Sequence, residues 1–151
     1  MNTKILAAAI AAVSVAMIAA TAPSSAARTP GVRLSAIYFD SPGSDGGSNG
    51  SLNAEWVRIK NATGQRKSLT GWTLRDTSSH VFHFPSGFHL GAGATVKVHT
   101  GSGSNTATNL YRHSTDYIWN NSGDTAKLKN GGGTVVDRCS YTSADDPLAT
   151  C

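Results

Sequence analysis

From Val32 onward, apolar and polar residues alternate in short runs, and the runs are separated by Gly, Asn, Asp and Ser. Such period-two runs bounded by turn residues predict half-buried strands. The first is Val32 to Phe39, with Leu34, Ala36 and Tyr38 on one face and Ile37 and Phe39 on the other. Glu55 to Asn61 places Val57 and Ile59 on one face and Trp56 on the other. Leu69 to Arg75 carries Trp72 and Leu74, and Val81 to Phe84 ends at Pro85. Phe88 to Leu90 and Thr95 to Thr100 follow, the latter with Val96 and Val98 on one face. Ile118-Trp119, Thr125 to Lys129 and Thr134 to Tyr141 complete the set, with a hairpin signal at Asn130-Gly131 between the last two. Two polar stretches, Ser41 to Ser51 and Gly101 to Asn109, read as exposed loops. No window after Pro30 holds a 3.6-residue apolar stripe long enough for a helix. The pattern predicts an all-β domain, a sandwich or a barrel.

The wording of these runs adds to the pattern. E-W-V-R-I-K-N, then L-T-G-W-T-L-R-D, F-P-x-G and W-N-N-x-G-D-T-A-x-L resemble the lamin tail domain over Val32 to Tyr141. The resemblance implies an immunoglobulin-like β-sandwich. It also implies that Trp72 and Trp119, which match the Trp of the L-x-G-W and W-N-N segments, are core residues. Trp56 stays open between an exposed and a covered position. In nuclear lamins such a domain is a docking surface for other macromolecules. In bacterial exported proteins it accompanies nucleases, hydrolases and surface proteins. Fold alone does not carry a function, which has to be argued from a site.

The segment before Val32 has a different character. Lys4 precedes an apolar stretch from Ile5 to Ala20, and Ser25-Ala26-Ala27 offers a small-x-small cleavage site. This is the layout of a secretory signal peptide over residues 1–27, ahead of a domain over 28–151 whose core spans about 32–141. A membrane anchor is the competing reading, and the run is short for a span of ~20 residues. The expectation is therefore a secreted, extracellular protein of bacterial type with no membrane span after cleavage, and a monomer. Cys139 and Cys151 both follow the leader and would meet an oxidising compartment. Their pairing closes a short loop and contributes on the order of 3 kcal/mol. The formal charge of +4 is mild. Arg33, Arg58, Lys60, Arg66, Lys67, Arg75, Lys97, Lys127 and Lys129 are spread over most of the predicted strands. Solubility accounts for that spread more readily than a polyanion site.

Candidate chemistry is sparse. Gly46-Gly47-Ser48-Asn49-Gly50 matches G-x-S-x-G, a motif that acts through a strand-to-helix elbow. It stands in a Gly- and Ser-rich loop with no helix predicted after it. His80, His83, His89, His99 and His113 do not converge by strand parity, as a zinc site would require. Glu55 is the only Glu, and no carboxylate pair is evident. The Asp40-Ser-Pro-Gly-Ser-Asp45 loop near Asn53 and Glu55 suggests a Ca²⁺ site with Asp40, Asp45 and Glu55 as ligands, and Asp76 nearby if its strand pairs with the second. An Asp-rich turn explains the same residues without a metal. Asn49, Asn61 and Asn120 begin N-glycosylation sequons. No other cofactor is expected. The reading is a secreted, non-catalytic binding or structural module with a protein or polysaccharide partner. An extracellular DNA- or polyanion-binding protein is the first alternative and an unrecognised hydrolase the second. The two polar loops are the expected contact surfaces.

Overall fold

The computed structural model describes residues 30–151. The expected signal peptide lies outside them. Trp56–Asn61 shows how the sequence pattern becomes structure: Val57, Ile59 and Asn61 point inward, while Trp56, Arg58 and Lys60 stay partly exposed. The other strands, in chain order, are β1 (Val32–Tyr38), β3 (Lys67–Ser68), β4 (Thr73–Arg75), β5 (Val81–His83), β6 (His89–Leu90), β7 (Thr95–His99), β8 (Asn109–Tyr111), β9 (Gly123–Lys129), β10 (Val135–Thr142) and β11 (Leu148–Thr150), with Trp56–Asn61 as β2. One sheet runs β11-β1-β2-β7-β8 and the facing sheet β10-β9-β4-β5, with β3-β6 as a separate two-stranded ribbon. This is the immunoglobulin-like sandwich that the resemblance implies.

The core fills the space between the sheets. Leu34, Ile37, Phe39, Val57, Ile59, Val96 and Val98 come from the first, and Leu74, Phe82, Ala126, Leu128 and Tyr141 from the second. Fully burying one such aliphatic side chain stabilises the fold by about 1.5–3 kcal/mol. The face assignment of β1 needs correction. A register shift between Leu34 and Ala36 puts an extra residue into the strand, so Leu34, Ile37 and Phe39 all face the core. Period-two reading loses phase at such a bulge.

Three further differences have local causes. The predicted strand Leu69 to Arg75 is broken: Trp72 N–H donates to Leu69 O (3.0 Å) across Gly71, whose φ of +76° suits glycine. Ile118-Trp119 is not a strand, because its N–H groups donate to a carboxylate. Strands β3, β8 and β11 fall outside the expected runs, because two or three residues without an apolar alternation leave no period-two signal. The Asn130-Gly131 hairpin between β9 and β10 is present. Asn130 Oδ1 accepts from Gly132 N–H and Thr134 N–H, both at 3.0 Å.

The two flanks of the sandwich differ. On one, Cys139 of β10 and Cys151 form a disulfide (Cα–Cα 5.6 Å) that ties one sheet to the other beside β11. Leu34 N–H also donates to Asp137 Oδ2 there (2.9 Å). On the other flank, edge strands β5 and β8 face each other across a cleft.

Candidate functional site

The Ser41–Ser51 loop does not stay irregular. A short helix, α1, covers Asn49–Ala54, so the expectation of no helix is corrected. Ser48 caps it, its side chain accepting from Ser51 N–H (3.2 Å), and Leu52 anchors it to the core. Ser48, the serine of the G-x-S-x-G match, is thus the N-cap of this helix. The spacing of Asn49 and Asn53 places both on one helix face. Their side-chain amides donate to Ser102 O at 3.0 and 2.9 Å, and Ser102 N–H donates to Asn49 Oδ1 (2.7 Å). The approach is close: a Cβ on Gly101 would lie 2.6 Å from the Oδ1 of either Asn. Tyr117 joins from a third segment, 2.6 Å from Ser51 Oγ and accepting from Gly47 N–H (3.3 Å). The two polar loops thus form one surface at one end of the sandwich, together with residues 112–118.

Glu55, expected as a calcium ligand, lies directly beneath this surface and is 0% exposed. Its Oε2 accepts from the Thr100 hydroxyl and from Ile118 N–H (3.1 Å), and its Oε1 from Trp119 N–H (2.8 Å). The carboxylate therefore fastens β2, the start of the second polar loop and the Trp119 segment together. Burial pushes its pKa up to about 7, against the opposing pull of those donors and of Arg112. Asp40 and Asp45 do meet, both accepting from Asn121 Nδ2 (3.2 and 3.3 Å). Partial desolvation and the neighbouring Asp146 and Asp45 raise the Asp40 pKa. Among the described residues no three His, Cys, Asp or Glu side chains form a group able to hold a metal. The Asp40, Asp45 and Glu55 set is thus not assembled, because the alternation of β2 leaves Glu55 pointing inward. Asp76 is not beside β2 either. Its strand belongs to the facing sheet, and it pairs with His80 Nδ1 (2.5 Å).

Three of the histidines share a cleft without forming a metal-holding group. His80, His83 and His113 line one cleft of about 440 Å³ between β5 and β8, together with Tyr111 and Arg112. His113 has φ +57°, the only non-glycine positive φ among the described residues. Burial pushes the Arg112 guanidinium pKa down, and Asp76 and Glu55 oppose that shift. Arg112 also lies over the Trp119 ring (5.9 Å).

The tryptophans divide three ways. Trp119 is core, 1% exposed. Trp72 is only partly buried and packs against the core from outside, a correction to its expected place within it. Trp56 lies on the outer face, stacked on Tyr38 (5.7 Å) with Lys97 Nζ 4.1 Å above the ring. Asn61 is fully buried, and its side-chain amide donates to Gln65 O, Leu90 O and Gly91 O, so the sequon there is closed in the folded protein. Among the described residues no helix is long and apolar enough to cross a membrane.

No curated protein matches the chain. The model of the Lamin Tail Domain family matches residues 25–143, nearly the whole of the sandwich. On that match and on the immunoglobulin-like architecture, the chain belongs to the lamin tail domain family.

Proposed function

We propose that the protein is an exported, non-catalytic module that docks a macromolecular partner outside the cell through the loop end of its sandwich. The observation that carries this reading is the joining of residues 47–54, 101–103 and 117 into one hydrogen-bonded surface. That surface is rich in hydroxyls and amides, and Glu55 holds it rigidly from below. Rigidity of this kind reduces the ordering cost of binding. Membership of a family of non-enzymatic immunoglobulin-like domains favours binding over turnover. The leader pattern and the Cys139–Cys151 disulfide suit an oxidising, extracellular setting.

The test is affinity capture on intact cells, cell-wall material and secreted proteins, beside a screen for ester, glycan and nucleic-acid hydrolysis. The purified protein should retain a partner and show no turnover. An Asn49→Ala/Asn53→Ala variant that melts normally should lose that partner. Turnover abolished by changing Ser48, Glu55 or His80 would replace this reading with an enzymatic one.

A further inference from the structure

The cations that look scattered in the sequence are sorted by strand register. On the five-stranded sheet Arg33 lies opposite Lys60, and Arg58 opposite Lys97. All four are partly exposed on its outer face. Like charges placed directly opposite destabilise a sheet. β1, β2, β7, β8 and β11 contain no Asp or Glu, and Asp137 of β10 reaches the sheet at its edge, at Leu34 N–H. The facing sheet carries a like row, Arg75, Lys127 and Arg138, but its outward positions hold no Trp, Tyr or Phe. Among the described residues no Lys or Arg lies within 4 Å of a carboxylate oxygen of another described residue, and the ion pair present is His80–Asp76.

A second row crosses the same face in register: Tyr38, Trp56, His99 and Tyr111. Its rings are engaged with one another. Tyr38 stacks on Trp56 at 5.7 Å, and His99 stacks on Tyr111 at 5.0 Å. Lys97 sits over Trp56 at 4.1 Å. Single-stranded nucleic acid would need open ring faces for its bases. These rings are already stacked. Among the cations, Ser35 Oγ accepts from Arg58 Nε (3.0 Å) and Thr95 lies opposite Lys60, while Asn109 Oδ1 lies 2.9 Å from His99 Nε2.

We infer that the outer face of the five-stranded sheet is a docking surface for an acidic polysaccharide, a linear glycan bearing carboxylate or sulfate groups. The anionic groups meet Arg33, Arg58, Lys60 and Lys97. The sugar hydroxyls meet the polar groups between them. Binding also relieves the repulsion that the apo sheet carries. The inference rests on the reading of the chain as a binding module, but it uses a face distinct from the loop end.

The experiment titrates the purified protein with heparin, polygalacturonate, uncharged dextran and a single-stranded oligonucleotide of matched charge, across a salt series. Both acidic glycans should bind, dextran should not, and affinity should fall steeply with salt as counterions are displaced. Heparin alone or polygalacturonate alone would assign the sulfated or the carboxylated source. The Lys60→Gln/Lys97→Gln variant should lose more than tenfold in affinity and melt close to wild type, relief of the two like-charge pairs offsetting loss of the Lys97–Trp56 contact. Lys127→Gln/Arg138→Gln, on the opposite sheet, should bind as wild type, and so should Asn49→Ala/Asn53→Ala. Equal loss in both lysine-containing variants would reduce the effect to net charge and overturn the inference. Tighter binding of the oligonucleotide would overturn it in favour of nucleic acid. Failure of every glycan, with partner capture through the loop end intact, would remove this face and leave the proposed function standing.

Discussion

Glu55→Gln separates the electrostatics of the buried carboxylate from its hydrogen bonding. An amide offers one acceptor where the carboxylate offers two. With its oxygen set to accept from Trp119 N–H, its NH₂ group faces Thr100 and Ile118 N–H, and the latter donor loses its partner. An unsatisfied buried donor costs about 1–3 kcal/mol. Acting against this is the penalty that the wild-type group carries when ionised. Its pKa rises from 4.5 to about 7 on folding, so the folded protein holds this proton more tightly than the unfolded chain. The resulting stability is present in full below pH 4.5 and is lost as pH rises through 7. At 1.36 kcal/mol per unit, the loss reaches an upper limit of about 3 kcal/mol, or roughly 10 °C in melting temperature for a domain of this size. Denaturant melts of both proteins should therefore nearly coincide at pH 4.5, where the folded wild-type group is itself neutral with one full acceptor oxygen, and separate toward pH 8 as only the wild type loses stability. Parallel curves would show that Glu55 keeps an ordinary pKa in the fold, and that its three donors and Arg112 outweigh desolvation.

Two other substitutions probe the packing. Trp119→Ala should cost about 3–5 kcal/mol, as removal of a fully buried Trp does, whereas Trp72→Ala should cost less than half as much because that ring only covers the core from outside. Urea melts would show it, and equal costs would refute the distinction. Cys139→Ser/Cys151→Ser should lower stability by about 2–4 kcal/mol. The intact protein should alkylate at neither Cys before reduction, and free thiols in unreduced protein would contradict this. Millimolar Ca²⁺ against chelator should leave the melting temperature unchanged, since Glu55 is unavailable to Asp40 and Asp45. A shift of several degrees would restore the metal.

Much of the sandwich is legible in the chain because strands such as β2, β7 and β9 keep strict alternation between two environments. Legibility ends where one residue breaks phase, as at the β1 bulge, or where a turn inside an apolar run depends on one glycine, as at Gly71. The helix after Ser48 was hidden by composition. Its six residues include Gly, Ser and two Asn, and it is held by a cap, one buried Leu and contacts to a segment about fifty positions away. Such contacts are tertiary and leave no periodic trace. The same holds for Glu55. Proximity in sequence to Asp45 suggested a shared ligand set, whereas strand parity, applied to Glu55 as it was to Val57 and Ile59, points all three inward. The cation rows were equally hidden, since Arg58 and Lys97 become neighbours only once β2 is paired with β7.

The claim that the loop end is the binding surface is tested most directly by hydrogen exchange on the protein with and without its captured partner. Slowed exchange should appear at residues 47–54, 101–103 and 112–118, with the β5 and β8 edges unchanged. Protection confined to residues 80–85 and 111–113, around the histidine-lined cleft, would contradict the account and move the site to the open flank of the sandwich.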